Sequence, residues 1–414
     1  MTLSEDLKWR GLIKDTTFDD LKWLDKPQSF YLGIDCSADS LTVGNLAVLI
    51  LARRLVESGW KAVLLVGGAT SLIGDPGGKQ EERDLKSREE IVKNVGRIKK
   101  EIDSLFGGHP YVQVDNYDWF KDIGYLEFLR DVGKNYSMTE LMQREFVTQR
   151  MGEGGSGISY AEFSYSLIQG YDYWHLHKNH GVVLQIGGSD QWGNMLSGVP
   201  LIRKKEGKQV HAFSMPLVVD KSTGQKFGKS EAGAIWLNPA KTSETQFRQF
   251  WINVDDADVE DYLKIFTFAS REEIGRLMAA HQKQPQLRLA QNFLSQKVAE
   301  AVHTKQASAE AEELKKVLTG ETPIDEADEA VIHRLRSEIP YTTMSKNGTI
   351  VEALVRTGLA SSNSDARRLL EAGAIYVNGQ SAKKAQFEAD DFLNGRLILR
   401  RGKAYKDSAL VELK

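Results

Sequence analysis

The chain has 414 residues, of which 41% are hydrophobic and 27% charged, with a net charge of −3, so it is expected to be a globular protein of two or three domains. No apolar run approaches the length of about 18 residues that a membrane span needs, and the polar N-terminus does not resemble a secretory signal. The single cysteine, Cys36, excludes an intrachain disulfide and a cysteine zinc cluster, which is typical of a cytoplasmic protein.

The first half of the chain alternates strand and helix patterns. Residues 30–34 predict a buried strand, the spacing from Gly44 to near Gly59 predicts a helix, and residues 62–66 predict a second strand that runs into two glycines. Further strands are predicted at 111–114 and 182–186, which together indicate a parallel sheet. The segment from about 120 to 180 is helical in pattern, and its apolar and aromatic residues fit either a core or a dimer surface.

After Ser230 the sequence pattern changes from alternating strands and helices to mainly helices. Residues 240–320 are helical in pattern, and the acidic stretch within 323–345 is interpreted as a linker. In the last segment, helices are predicted at 350–356 and 364–371, and strands at 375–377 and 396–400, the first of them leading into an Asn-Gly turn. The predicted domains are therefore 1–225 (with the helical insertion), 226–322, 323–345 as the linker, and 346–414.

Charge is distributed unevenly between these segments. Residues 351–414 contain 11 Lys and Arg against 8 Asp and Glu, whereas the rest of the chain is acidic. A basic module on an acidic body is a modest indication of nucleic-acid binding, and chance is a serious alternative for a difference of this size.

Two segments carry the clearest chemistry. Lys226 and Lys229 lie three residues apart on a loop that contains Gly224 and Gly228, where two ammonium groups can hold a chain of phosphates. Upstream, residues 187–194 (GGSDQWGN) follow a predicted strand. A carboxylate and an amide just past a strand end suit a ribose or amino-acid ligand at the carboxyl edge of a parallel sheet.

Together these segments resemble the catalytic domain of the tyrosyl-tRNA synthetases, and the resemblance covers the chain from about Phe30 to its end. The glycine-rich residues 67–79 match the second sheet-edge loop of that family closely. The resemblance implies an α/β fold with a Rossmann-like parallel-sheet catalytic domain and a helical insertion, followed by an α-helical domain and a small α+β S4-like RNA-binding domain.

The same resemblance implies activity and partners. The enzyme would activate tyrosine with ATP to tyrosyl-adenylate and pyrophosphate, and would then esterify the 3′ end of tRNA(Tyr). Family members are homodimers. ATP would bring Mg²⁺ on its phosphates, because the sequence shows no dedicated carboxylate cage for a protein-bound metal.

The first loop, residues 35–46, departs from the family pattern. Class I synthetases carry a His-x-Gly-His signature here, whereas this chain keeps Gly44 and has Thr42 and Asn45 at the histidine positions. The residues with implied catalytic contacts are Lys226, Lys229, Lys79, Arg83, Thr42, Ser37 and Asn45. The residues with implied ATP contacts are Gly33, Asp35, Gly44, Asn45, Gly188, Asp190, Lys226, Lys229 and Ser230.

A tyrosine pocket is implied by the segment 163–172. Tyr165, Gln169 and Asp172 are spaced by four and three residues, so they share one helix face. In the resemblance Asp172 accepts the phenol hydroxyl, Tyr31 meets the same hydroxyl, and phenylalanine would leave the carboxylate unpaired. The remaining implied tyrosine contacts are the ammonium ligands Asp75, Tyr165 and Gln169, the glutamines Gln185 and Gln191, and Asn116, which would steady the pocket.

Residues 364–379 resemble an S4 RNA-binding domain. Arg367 and Arg368 would lie on a helix that faces RNA phosphates, and Lys383 and Lys384 would extend the basic surface, as would three further cations, Arg400, Arg401 and Lys403. A solvated charged face is the alternative for any one of these cations.

Two other functions remain open from the sequence. One is a paralogue that has lost activation and serves as an RNA-binding protein, an alternative motivated by Thr42 and Asn45. The other is a synthetase for tryptophan, although Tyr31 and Asp172 favour a phenol.

Overall fold

A computed structural model describes residues 1–75, 86–152, 154–155, 157–221, 224, 227–230, 233–303, 305–345, 347–402 and 407–414. For residues 145, 146, 149, 229, 230 and 305–310 it describes only the backbone. The chain divides into two compact units, the first made of residues 1–241 and 252–298 and the second of residues 242–251 and 299–414.

The strands and helices follow in chain order. The strands are β1 (Asp15–Thr16), β2 (Ser29–Asp35), β3 (Lys61–Gly67), β4 (Tyr111–Asp115), β5 (Leu184–Gly188), β6 (His211–Met215), β7 (Lys229–Ser230), β8 (Gly233–Ala234), β9 (Tyr341–Met344), β10 (Ile375–Val377), β11 (Gln380–Ala382), β12 (Arg396–Arg401) and β13 (Ser408–Leu413). The helices of the first 206 residues are α1 (Leu3–Trp9), α2 (Val43–Glu57), α3 (Thr70–Ile73), α4 (Arg88–Phe106), α5 (Tyr117–Phe120), α6 (Tyr125–Asp131), α7 (Met138–Met142), α8 (Glu145–Met151), α9 (Tyr160–His180), α10 (Trp192–Met195) and α11 (Gly198–Glu206). The later helices are α12 (Glu244–Ile252), α13 (Val259–Phe266), α14 (Arg271–Lys283), α15 (Leu289–Val302), α16 (Lys305–Thr319), α17 (Glu329–Glu338), α18 (Ile350–Arg356) and α19 (Asn363–Glu371).

The first unit is built on a six-stranded sheet in the order β1-β6-β5-β2-β3-β4. All neighbours are parallel except β1, which is antiparallel to β6. The chain runs outward from β2 through β3 to β4 and then returns to the other side of β2 as β5. The strand order therefore reverses between β2 and β5, and doubly wound sheets bind ligands outside the carboxyl ends of their strands at such a point.

Burial explains why these residues form a parallel sheet. Six of the seven residues of β3 and all five of β6 are buried, as expected for strands covered by helices on both faces. Helix α9 packs on one face, where Tyr173 and Leu176 join Tyr31 and Val63 in a buried cluster. It begins with a capping box between Ser159 and Glu162. The insertion predicted to be helical contains α6, α7, α8 and α9.

The second unit contains a five-stranded sheet in the order β11-β10-β12-β13-β9, in which only β9 and β13 pair in parallel. The predicted Asn-Gly turn is confirmed: Asn378 and Gly379 have φ values of 47° and 83° between the paired residues Val377 and Gln380. These positive angles are those of a two-residue hairpin, which fixes the register of β10 and β11.

The prediction that residues 323–345 form a linker is wrong, because this segment contains helix α17 and strand β9. Val331, Ile332 and Leu335 are buried in a cluster with Ile398 and Leu410 of the sheet. Their spacing of one and three residues is a helical apolar stripe, which the surrounding acidic residues obscured. In the part of the chain that the structure describes, no helix is both long and apolar enough to cross a membrane.

Candidate active site

Four parallel strands end at the same edge of the sheet, and their ends carry the polar side chains singled out in the sequence. Strand β2 ends at Asp35, β3 at Gly67, β4 at Asp115 and β5 at Gly188. Gly33 in β2 is exposed although β2 is an inner strand, and a Cβ atom there would meet nothing within 4 Å. The sheet therefore opens on a cleft at the point where the strand order reverses.

Asp35 organises the first loop of this edge. Its carboxylate accepts the Ser37 backbone N–H at 3.1 Å, the Ser37 hydroxyl at 2.5 Å and the Ser71 hydroxyl at 2.6 Å. Ser71 in turn accepts the backbone N–H of Cys36 at 2.8 Å. These bonds link the loop after β2 to α3, and they give Ser37 a fixed place at the proposed nucleotide edge.

Asp172 is the central carboxylate of the predicted tyrosine pocket. It lies on α9, is 2% exposed, and accepts hydrogen bonds from Asn116 Nδ2 at 3.1 Å and Trp119 Nε1 at 3.0 Å. Burial raises the pKa of Asp172 to about 8, against the opposing effect of the two hydrogen bonds. Asn116 Oδ1 also accepts the Ala69 N–H at 2.7 Å, so this side chain links Asp172 to the loop after β3. That it steadies a tyrosine pocket stays a prediction.

Tyr31 is the second polar residue of this predicted pocket. The residue is 1% exposed, its ring centroid lies 5.2 Å from that of Tyr173, and its hydroxyl has no hydrogen-bond partner among the described residues. Burial, and then the negative charge of Asp172, raises the pKa of the Tyr31 hydroxyl well above its ordinary value. A buried hydroxyl without a partner is unfavourable by itself, so this atom points to a ligand that completes it.

A second polar group lies between the loop after β3 and the loop after β5. Gln191 donates to the Asp75 carboxylate at 2.5 Å, and Asn194 donates to Asp75 at 3.4 Å and to Gln191 Oε1 at 3.2 Å. Asp75 and Gln191, distant in sequence, are thus brought together. Gln185 on β5 is 2% exposed, and its Oε1 atom lacks a partner among the described residues.

The other predicted contacts are placed as follows. Tyr165 is buried and Gln169 half-buried on α9, one turn apart and on the side of Asp172. Asp190 is exposed, and its carboxylate folds over Gly188, where a Cβ atom would lie 2.6 Å from it. Gly188 therefore allows Asp190 to approach the strand end closely.

The lysine loop is docked on the first loop by its main chain. Gly228 O accepts the Ile235 N–H at 3.0 Å, Ile235 O accepts the Val43 N–H at 3.0 Å, and the Leu237 N–H donates to Leu41 O at 2.8 Å. A Cβ atom at Gly228, whose φ is 104°, would lie 3.3 Å from Gly44 N. The loop that contains Gly228 is thus a neighbour of the first loop at Gly44.

Several predicted phosphate ligands cannot be placed. Lys79, Arg83 and Lys226 lie outside the described residues, and Lys229 and Ser230 are described only as backbone of β7. Neighbouring Phe227 is described and packs on Tyr262, with a centroid distance of 4.2 Å.

The basic surface of the C-terminal module is smaller than predicted. Arg367, Arg368 and Lys383 are exposed, but Arg368 is already paired with Asp365 at 2.8 Å. Lys384 is half-buried and lies 2.8 Å from the carboxylates of both Glu388 and Asp391. Its charge is balanced within the module, so it is a weaker candidate for an RNA contact.

Two other cations of that prediction have structural surroundings. Arg400 is 8% exposed, lies over the Tyr376 ring and donates to Leu318 O at 3.3 Å. Arg401 donates to Leu359 O at 3.1 Å. Lys403 lies outside the described residues. The extension of the basic surface to Arg400 is therefore wrong, because the guanidinium is buried between the Tyr376 ring and the end of α16.

A group of three carboxylates lies apart from these residues. Oxygen atoms of Asp220, Asp255 and Asp258 come within 4.8 Å of one another. Asp258 also accepts the Lys221 backbone N–H at 3.3 Å. Acidic groups of this kind are common without an ion, and no other feature of the described residues points to one here.

Sequence reasoning assigned no role to Trp119 or Asn194. In the structure Trp119 donates a hydrogen bond to Asp172, and Asn194 donates one to Asp75. Trp119 lies three residues after Asn116 at the end of β4, and Asn194 lies three after Gln191. Both spacings put the second residue on the same helical turn as the first, a signal that was present in the sequence.

Comparisons with known proteins agree with this architecture. The family model for tRNA synthetases class I (W and Y) matches residues 24–318, and the model for the tyrosine–tRNA ligase SYY-like C-terminal domain matches residues 331–406. A tyrosine–tRNA ligase of Streptomyces griseus is 42% identical over 419 residues, covering 99% of this chain and 98% of that protein. A tyrosine–tRNA ligase of Listeria monocytogenes is 41% identical over 415 residues, covering 97% and 98%.

A solved structure is similar over most of the chain. The C-terminally truncated mitochondrial tyrosyl-tRNA synthetase of Aspergillus nidulans superposes with a TM-score of 0.66 at 30% identity, covering 75% of this chain and 92% of that one. The chain therefore belongs to the class I tRNA synthetases of the tryptophan and tyrosine group, and within it to the tyrosine–tRNA ligases.

Proposed function

We propose that this chain activates L-tyrosine with ATP and transfers the tyrosyl group to the 3′ end of tRNA(Tyr). The observation that carries the proposal is the buried pair of Tyr31 and Asp172, because it offers a hydroxyl without a partner beside a carboxylate on the face of the sheet that α9 covers. A phenol completes this pair because its hydroxyl can donate to Asp172 and accept from Tyr31. An indole N–H can donate but cannot accept, and a phenyl ring can do neither.

The proposed pocket holds tyrosine at both ends. Asp75, Tyr165 and Gln169 bind the ammonium group, and their positions are compatible with this role because Asp75 is buried and fixed by Gln191. Gln185, with its unpartnered Oε1 atom, offers a further hydrogen bond to the substrate. The substrate carboxylate is then left facing the nucleotide cleft.

The chemistry requires little covalent work from the protein. An oxygen of the tyrosine carboxylate attacks the α-phosphorus of ATP, the bond to the β-phosphate oxygen breaks, and pyrophosphate leaves. A hydroxyl of the terminal adenosine of the tRNA then attacks the carbonyl carbon, and AMP leaves. In the first step positioning and stabilisation of the growing phosphate charge dominate, and no general base is needed because the attacking carboxylate is already deprotonated. In the second step the proton of the attacking hydroxyl leaves with the AMP phosphate.

The nucleotide contacts are proposed from position. Gly33 leaves room at the cleft, Gly188 lets Asp190 approach the strand end and bind the ribose hydroxyls, and the loop of Asp35 and Ser37 lies at the phosphate side. Lys79, Arg83, Lys226 and Lys229 act on the phosphates. This part of the proposal rests on the sequence alone. The first turn of α2 adds the positive end of a helix dipole at the exposed Gly44.

Magnesium is proposed to arrive on the ATP phosphates. The described carboxylates at this edge already accept hydrogen bonds: Asp35 from Ser37, Asp75 from Gln191 and Asp115 from the backbone of Gly68. Carboxylates that are already hydrogen-bonded in this way orient neighbouring side chains and do not form a cage for a cation. Mg²⁺ usually keeps several waters and binds through substrate phosphates.

A homodimer is the proposed assembly. The helical insertion exposes large apolar side chains, with Leu126 78%, Tyr125 63%, Tyr160 63% and Met138 61% exposed. Tyr125 and Tyr160 are neighbours, with their hydroxyls 3.5 Å apart, and grouped exposed apolar side chains are typical of a protein interface. The buried, unpaired Cys36 supports the proposal that the chain works in the reducing cytoplasm.

Aminoacylation tests the proposal. Purified protein is incubated with ATP, Mg²⁺, a tyrosine tRNA transcript and labelled tyrosine, tryptophan or phenylalanine. The proposal requires acid-precipitable label with tyrosine alone. Label with tryptophan would contradict the assigned substrate, and tRNA binding without label would indicate an RNA-binding protein that has lost catalysis.

A further inference from the structure

The two residues at the histidine positions of the family signature are hydrogen-bonded to each other. Thr42 precedes α2 with an extended backbone, φ −107° and ψ 168°. Its backbone N–H donates to Asn45 Oδ1 at 3.0 Å, and its hydroxyl donates to the same oxygen at 2.8 Å. A backbone amide can only donate, so the atom that faces it is the carboxamide oxygen, and the Nδ2 group points the other way.

This arrangement changes the role expected for Thr42. The sequence predicts that Thr42 and Asn45 each donate directly to the nucleotide. In the structure both Thr42 donors are engaged by Asn45, and the hydroxyl proton is not available to a phosphate oxygen. The free donors of the pair are the two N–H bonds of Asn45 Nδ2, which donate to no group among the described residues.

The surroundings of the pair are fixed. The segment from Leu41 to Val43 is held by main-chain hydrogen bonds to Ile235 and Leu237. Gly44, beside the pair, is exposed, and a Cβ atom there would have only Thr42 Oγ1 at 3.5 Å and Phe227 O at 4.0 Å as neighbours within 4 Å. Asn45 Nδ2 therefore lies at an open helix N-terminus, where an electronegative oxygen is favoured.

We infer that Thr42 is a positioning residue that fixes the carboxamide of Asn45 so that Nδ2 donates to a ribose or phosphate oxygen of the nucleotide. The pair acts as one donor rather than as two independent ones. This inference rests on the proposed function, since it assigns a role within nucleotide activation.

A double-mutant cycle tests the inference. The variants are Thr42→Val, Asn45→Ala and the double variant, with Thr42→Ser as the conservative control that keeps the hydroxyl. The measurement is the single-turnover rate of tyrosyl-adenylate formation at varied ATP concentration, and equilibrium binding of tyrosine reports that each variant keeps a folded pocket.

The coupled pair predicts a specific pattern. Thr42→Val lowers the rate about three- to tenfold, the loss expected when one orienting hydrogen bond is removed, and Thr42→Ser recovers it to within about twofold. In the Asn45→Ala background, Thr42→Val has no further effect beyond about twofold, because there is no carboxamide left to orient.

Two results would overturn the inference while leaving the proposed function intact. One is a double variant whose loss equals the product of the single losses, which would mean that the residues contact the nucleotide independently. The other is a Thr42→Val variant with the wild-type rate. Absence of tyrosine-dependent adenylate in the wild-type protein would instead refute the proposed function, and the inference with it.

Discussion

Replacing Tyr31 with phenylalanine is expected to stabilise the ligand-free protein and to weaken tyrosine binding. The Tyr31 hydroxyl is buried and has no partner among the described residues. Its removal therefore breaks no hydrogen bond in the free protein. In the complex, however, the substrate phenol loses one of its two proposed partners.

The expected changes in stability and in tyrosine affinity differ in sign, because the Tyr31 hydroxyl lacks a partner in the free protein and gains one in the complex. A buried polar group left without a partner costs roughly 1–3 kcal/mol, so Tyr31→Phe is expected to raise the free energy of unfolding by about 1 kcal/mol once the small void left by the oxygen is allowed for. That corresponds to a rise of about 2 °C or less in melting temperature for a unit of this size. Loss of one hydrogen bond in the complex costs about 0.5–1.5 kcal/mol, which weakens tyrosine binding about two- to twelvefold.

Tyr173→Phe is the matched control. Tyr173 is also fully buried and packs against Tyr31 with its ring tilted, but its hydroxyl donates to the His211 carbonyl at 2.7 Å. Its removal leaves a buried carbonyl oxygen without this donor, so the melting temperature should fall rather than rise. Thermal unfolding without ligand and tyrosine binding by equilibrium dialysis compare the two variants directly.

The reasoning fails if Tyr31→Phe lowers the melting temperature of the free protein as Tyr173→Phe does, because the hydroxyl would then be hydrogen-bonded before tyrosine arrives. It also fails if the affinity for tyrosine is unchanged, because the hydroxyl would then not contact the phenol.

Three further predictions concern charge and hydrogen bonding. Burial raises the pKa of Asp172 from 3.8 to about 8, so between about pH 4 and pH 8 the folded protein retains a proton that the unfolded chain releases. The contribution of this group to the free energy of unfolding therefore falls as pH rises through that range. Asp172→Asn should flatten that part of the profile of melting temperature against pH. Trp119→Phe removes the indole N–H that holds the Asp172 carboxylate at 3.0 Å, and the ratio of kcat/KM for tyrosine over phenylalanine should fall about two- to twelvefold in pyrophosphate exchange. Lys383→Ala should weaken tRNA binding in a filter assay at low salt more than Lys384→Ala, because two carboxylates of the same module already neutralise Lys384.

Each of these predictions has a contradicting result. A wild-type stability profile that Asp172→Asn leaves unchanged would show that this carboxyl does not titrate in the window. Trp119→Phe with unaltered discrimination would mean that Asn116 alone orients the carboxylate. Equal losses for Lys383→Ala and Lys384→Ala would mean that Lys384 exchanges its intramolecular partners for RNA.

The elements with regular apolar patterns were predictable from the sequence. Strands β2, β3 and β4, helix α2 and the Asn378-Gly379 turn follow from local patterns that do not depend on the rest of the fold. Helix α17 was missed because its buried residues are embedded in an acidic stretch, and net polarity hides an apolar stripe of three residues. That stripe packs with residues of α16 and of strands β12 and β13, and the two strands are distant parts of the chain.

The sequence indicated which residues lie at the site, but it indicated fewer of the hydrogen bonds and ion pairs between them. The order of parallel strands explains why Asp75 and Gln191 meet, since both follow strands at one edge. The sequence gives no indication that Thr42 donates to Asn45 or that Lys384 lies between two carboxylates, because these bonds depend on side-chain directions set by the fold.

Tyrosine-dependent exchange of labelled pyrophosphate into ATP tests the central claim most directly, with tryptophan and phenylalanine as controls. The account predicts exchange with tyrosine alone, because only a phenol satisfies both Tyr31 and Asp172. No exchange from a folded protein that still binds tRNA, or exchange supported equally by tryptophan, would contradict it.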